Sequence, residues 1–136
     1  MDQMAVEADV SRVEEITDFV NEHLAGMGCS EHTRIQVDVA VDEIFSNIVH
    51  YAYPSGKGEI TVRVGSEGNP LRVMITFIDR GVPYNPLAKE LPDITGLPKN
   101  ARPIGGLGLF MVRKTMDDVS YSYEDGQNRL TICKRL

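Results

Sequence analysis

A two-layer α+β sandwich, with a mixed but mostly antiparallel sheet covered by helices on one face, is the architecture this sequence predicts. Two long stretches of helical period come before any strand pattern. The strands then come as two adjacent pairs joined by turns, and a single further helix separates the pairs. A length of 136 residues suits one domain spanning 1–136. Hydrophobic residues at 42% and charged residues at 25% exclude a wholly disordered or fibrous chain.

The first helix is expected from about Asp9 to Met27. Ser11 and Glu14 have capping-box spacing, Val13, Ile16, Phe19, Val20 and Leu24 recur every three or four residues, and Gly26 and Gly28 end the run. A second helix follows from about Glu31 to Ala52, with Ser30 as N-cap and Pro54 as terminator. Its apolar positions, Ile35, Val37, Ala40, Val41, Ile44, Phe45, Ile48 and Val49, wrap more than half the cylinder, so burial on most sides is expected. Residues 59–65 alternate with period two, 71–78 form a second strand, and Glu67-Gly68-Asn69-Pro70 turns between them. From Asp79 to Ile104 no period survives, because Pro83, Pro86, Pro92, Pro98 and Pro103 interrupt it; a loop this long is typically a lid or binding loop. Gly105-Gly106-Leu107-Gly108 opens the third helix. Strands at about 119–124 and 129–135 close the chain around Asp125-Gly126-Gln127-Asn128.

The net charge of −6 is unevenly spread. Residues 1–54 hold eleven acids against Arg12 and Arg34, whereas the remainder holds nine acids and twelve bases. An acidic first half without an aromatic-interleaved basic stripe argues against nucleic-acid binding. No stretch reaches the roughly 20 apolar residues of a membrane span, and the opening residues do not resemble a signal peptide. Two cysteines, Cys29 and Cys133, make no disulfide framework, so a cytoplasmic location with reduced thiols is expected.

Three constellations carry chemistry. Glu43 and Asn47 are four apart on the second helix and project from one face. They suit a general base and a neutral oxygen ligand for a hard cation, or else belong, with Asp38, Asp42 and Ser46, to a solvated helix stripe. Asp79-Arg80-Gly81 places an acceptor and a bare backbone at a strand end, as purine recognition requires, although Asp-x-Gly is also a common turn. Glycines just ahead of a helix let backbone amides approach a phosphate. A dinucleotide fingerprint would need a strand before them and a P-loop a following Gly-Lys-Ser/Thr; neither is present. The histidines and cysteines lack metal-ligand spacing, and no Gly-x-Ser-x-Gly elbow occurs.

In this order the three segments resemble the motifs of the GHKL (Bergerat-fold) ATPases. Glu43-Ile-Phe-Ser-Asn47 with Tyr51-Ala52-Tyr53 resembles the N-box, 79–86 the G1 box, and Gly105-Gly106-Leu107-Gly108-Leu109 the G2 box. The Pro83-Tyr84-Asn85-Pro86 tail and residues 112–117 resemble the small bacterial branch of anti-sigma regulatory factors with serine-protein kinase activity. The resemblance spans about Asp9 to Leu136 and implies a Bergerat fold with a long ATP lid.

It also implies roles. Asn47 would ligate Mg²⁺, and Glu43 would orient or deprotonate the attacking hydroxyl. Asp79 would accept from the adenine amine, with Gly81 letting the base approach. Gly105, Gly106, Leu107 and Gly108 would face the phosphates, and Thr131 would help hold adenine. Lys99 and Arg102 are proposed as phosphate contacts from their charge and position alone. Some kinases of this branch carry an arginine just before the G2 glycines, whereas here the run is Arg102-Pro103-Ile104-Gly105. Nucleotide binding is hardly touched by this departure; kinase activity is left open. The implied partners are a sigma factor or other regulator and an antagonist protein, with a homodimer also open. Three functions compete: a serine-protein kinase that sequesters its partner, a non-catalytic ATP switch, and a detached sensor-kinase catalytic domain. The last lacks room for a helical hairpin bearing a phosphoacceptor histidine.

Overall fold

A computed structural model describes residues 2–88 and 106–136. Its elements are β1 (Asp2–Glu7), α1 (Val13–Gly26), α2 (Glu31–Asn47), β2 (Glu59–Glu67), β3 (Arg72–Asp79), α3 (Gly106–Thr115), β4 (Asp118–Glu124) and β5 (Gln127–Arg135). The strands form one sheet in the order β1-β2-β3-β5-β4. Every neighbouring pair is antiparallel, so among the described residues the sheet is not mixed.

Residues paired across a ladder share a face, and that face alternates along each strand. Val62 pairs with Phe77, Val64 with Ile75, Ile75 with Ile132, and Phe77 with Leu130. This inward set is buried together with Ile16, Val20 and Leu24 of α1, Val37, Val41 and Phe45 of α2, and Val112 and Met116 of α3. The other face carries Gln3, Thr61, Arg63, Thr76, Thr131 and Ser120, all half-buried or exposed. The helices therefore cover one side only, as the sequence predicts. No helix among the described residues is long and apolar enough to cross a membrane.

Several local expectations are corrected. The N-terminal residues, ahead of the first element expected from the sequence, form edge strand β1, in register from Asp2 opposite Val64 to Glu7 opposite Glu59. Ser11 and Glu14 make no capping box. Asp9 instead accepts from the Ser11 amide at 3.0 Å and caps a short 3-10 turn (Val10–Arg12), because its acceptor sits two residues from the donor it serves. Ser30 does cap α2, its Oγ accepting from the Thr33 amide at 3.2 Å. The expected continuous helix to Ala52 changes at Ile48 into a π-helical turn (Ile48–Ala52). Ile35, expected in the core, is 50% exposed, and Val39 one turn later is 46% exposed.

Candidate functional site

The inward face of the sheet changes character at one end. Along β3 the inward residues run Val73, Ile75, Phe77 and then Asp79, which faces Asn128 across the ladder. Asp79 is 3% exposed, Asn128 4% and Asn47 6%, and no other charged or amide side chain is buried among the described residues. All three line one pocket with Tyr84, Leu109, Tyr121 and several apolar side chains. All three sequence motifs, distant along the chain, thus contribute to a common cleft through Asn47, Asp79 and Leu109. Its free volume is about 10 Å³, roughly one water, so a purine enters only if the walls part.

Asp79 is held by two donors: the Gly81 amide at 2.9 Å and Asn128 Nδ2 at 2.8 Å. Both bonds fall on Oδ1. Burial pushes the carboxyl above the ordinary carboxylate range, and these two hydrogen bonds oppose that rise. The Tyr53 hydroxyl pins the strand end, accepting from the Arg80 amide at 2.8 Å and donating to the Glu59 carbonyl at 2.7 Å.

Gly81 is required by packing, a need that its motif does not announce. A Cβ there would lie 2.2 Å from the Ala52 carbonyl oxygen. That carbonyl, at the end of the π-helical turn, accepts from the Val82 amide at 2.9 Å. The bare backbone therefore lets the exit from β3 lie against the end of the N-box helix. A π-helical turn directly after Asn47 supplies that contact, and such turns recur at functional sites.

Asn47 is buried rather than part of a solvated stripe. Its Nδ2 donates to the Glu43 carbonyl at 2.7 Å, which commits the amide nitrogen and leaves Oδ1 as the atom for the pocket. A neutral oxygen fixed in this way fits a hard cation such as Mg²⁺. Glu43, one turn earlier, is half-buried and does not line the pocket. Burial first, and the neighbouring Asp42 charge second, raise its carboxyl above the ordinary value. That is the direction a proton acceptor needs.

Thr131 is not brought to this site. It pairs with Thr76 on the uncovered face, their hydroxyls 3.0 Å apart, because strand alternation sends it away from Asp79. The inward β5 position opposite Asp79 is held by Asn128, which sequence reasoning left in a turn. The signal for it was Asp125-Gly126: both residues have positive φ, 53° and 75°, as a two-residue hairpin turn demands. That turn ends at Gln127 and places Asn128 within the strand. Gly106, Leu107 and Gly108 lie in the first turn of α3. Gly105, Lys99 and Arg102 fall outside the described residues, as does the expected lid beyond Ala88. Where that segment leaves the described structure, Arg113 of α3 donates to the Leu87 carbonyl at 2.8 Å.

Residues 6–134 match the family model of the histidine kinase-like ATPase domain. A serine-protein kinase RsbW from Bacillus mycoides is 31% identical over 107 residues, covering 76% of this chain and 66% of the relative. Its Bacillus cereus counterpart is 33% identical over 95 residues, covering 68% and 58%. The matches thus span about three fifths to two thirds of those relatives' length. Two solved structures share the fold. A crystal structure of RsbU and RsbW domains from Mycobacterium tuberculosis aligns with a TM-score of 0.63 at 16% identity, over 100% of this chain and 33% of that one. A SiaB–SiaC complex from Pseudomonas aeruginosa aligns at 0.58 and 19% identity, over 96% and 88%.

Proposed function

The chain belongs to the histidine kinase-like ATPase domain family, which uses ATP, and from that premise we propose that it binds ATP with Mg²⁺ and phosphorylates a serine of an antagonist protein in the cytoplasm. Its ATP form would sequester a second partner, such as a sigma factor. One observation carries the reading: buried Asp79 and buried Asn47 line one pocket, so a base-reading acceptor and a cation ligand share a cleft. The RsbW names of the Bacillus relatives support serine as the phosphoryl acceptor.

In this scheme Asp79 accepts from the adenine amine, and Asn47 Oδ1 holds Mg²⁺. The cation, when bound, neutralises phosphate charge. Glu43 takes the proton from the partner's serine hydroxyl as its oxygen attacks the γ-phosphorus. The bond from that phosphorus to the β-bridging oxygen breaks, giving phosphoserine and ADP. Gly106 and Gly108 contribute backbone amides at the start of α3.

The test separates binding from chemistry. Glu43→Gln keeps shape but cannot accept the proton, so ATP should bind within about 1 kcal/mol of the parent. Transfer of labelled γ-phosphate to candidate antagonists should fall by about 10²–10⁴. Unchanged transfer removes the base assignment. ATP binding with no transfer by the parent to any candidate favours the other reading, a non-catalytic ATP switch.

A further inference from the structure

The Asn128 side chain makes four hydrogen bonds. Its Nδ2 donates to Asp79 Oδ1 at 2.8 Å and to the Val82 carbonyl at 2.9 Å. Its Oδ1 accepts from the Tyr84 amide at 3.1 Å and from the Tyr121 hydroxyl. The neighbours fix the orientation of the amide. A backbone N–H can only donate, and a carboxylate or carbonyl can only accept, so the flipped amide would oppose like groups on both sides. A satisfied network at a residue only 4% exposed is rigid.

The four partners belong to three parts of the chain. Asp79 ends β3, Val82 and Tyr84 lie on the segment leaving it, and Tyr121 sits on edge strand β4. Because Asn128 and the Gly81 amide both take Oδ1, Asp79 Oδ2 is the oxygen left for a ligand.

We infer that Asn128 is the positioning residue of the purine site: by occupying Asp79 Oδ1 and clasping the Val82–Tyr84 backbone, it aims Oδ2 at an exocyclic amine and sets a preference for 6-aminopurines. This rests on the nucleotide reading above and adds a specificity determinant to it. Asn128 acts on the base through Asp79, not by touching it.

The experiment compares ATP with purine riboside triphosphate, which lacks only the 6-amino group, by calorimetry on the full chain. The parent should bind ATP about tenfold to a hundredfold more tightly than the analogue, the value of one buried hydrogen bond to a charged acceptor. In Asn128→Ala the ATP affinity should fall by about tenfold while the analogue's moves less than about threefold, so the preference collapses. A residue that only held the fold would weaken both nucleotides alike; an unchanged ratio overturns the inference. A parent that binds neither nucleotide defeats the ATP reading itself. A parent that binds both equally defeats the Asp79 assignment and the inference with it. If the alanine variant does not fold, ¹⁵N spectra of the unsubstituted protein decide. The Asn128 side-chain amide signals should shift more with ATP than with the analogue, and equal shifts overturn the inference.

Discussion

Two cross-strand pairs of one ladder lie on the same face of the sheet: Ile75 opposite Ile132, and Asp79 opposite Asn128. All four residues are buried, yet burial does opposite things to the two pairs. Each isoleucine gains about 1.5–3 kcal/mol by leaving water. The polar pair gives up hydration and recovers it through hydrogen bonds, whose net value is only about 0.5–1.5 kcal/mol each. Burial also works against the charged form of Asp79, which is why its carboxyl is pushed up. The middle of the ladder is built for stability, and its end concedes stability to keep an acceptor facing a cleft.

The largest effect should come from breaking the apolar pair. Ile75 is fully buried, and Ile75→Ala should cost about 2–5 kcal/mol in urea unfolding. ATP affinity of the folded variant should stay within about threefold, because Ile75 does not line the pocket. A folded Ile75→Ala chain that has lost ATP would end the division between the two pairs.

Asp79→Asn should do the reverse. It places an amide donor against the adenine amine and should lower ATP affinity about tenfold to a hundredfold, or ~1–3 kcal/mol. Stability should not fall with it. Because the folded-state carboxyl is raised, its contribution is fullest below the ordinary carboxylate value and is lost as pH rises through the raised one. At neutral pH the charged Asp79 is therefore a burden that asparagine lacks, and the variant should melt at or above the parent. A variant that melts well below the parent would make the polar pair structural.

The apolar half of this contrast was legible in the sequence, and the polar half only in part. Period 3.6 in α1 and α2 and period 2 in β2 and β3 report burial directly, because one buried stripe imposes one spacing. Glu43, Asn47 and Asp79 were singled out because their motif order is specific, and the structure brings Asn47 and Asp79 to one pocket. Asn128 was missed because its place depends on register: reading 125–128 as a four-residue turn kept it out of β5. Thr131 was misassigned through the same blind spot, since alternation sends it to the uncovered face. β1 offered only Met4 and Val6 as alternating apolar positions; what fixes it is the edge of β2, which no local pattern announces. The need for glycine at 81 was readable, but its cause, the Ala52 carbonyl, lies in a tertiary contact.

The smallest effect lies at the edge of the apolar row. Asp2 pairs with Val64, which pairs with Ile75, so the row ends on β1 in a carboxylate. There His23 Nε2 lies 2.7 Å from Asp2 Oδ2, and Nδ1 lies 2.9 Å from the Phe19 carbonyl. Both partners are acceptors, so both ring nitrogens must carry protons and the geometry selects the imidazolium. The Phe19 carbonyl first, and Asp2 next, hold the His23 pKa above its ordinary 6.5, and the Glu22 charge adds to this. A raised pKa contributes stability that is full below about 6.5 and is lost as pH rises through the folded-state value. Unfolding free energy should thus decline shallowly on the alkaline side of 6.5, since an exposed pair contributes little. His23→Gln should flatten that decline and leave ATP affinity alone. Asp79→Asn should leave it intact and differ from the parent on the acid side instead. Identical alkaline slopes in the parent and His23→Gln would show that the clasp between α1 and β1 adds nothing to the edge of the row.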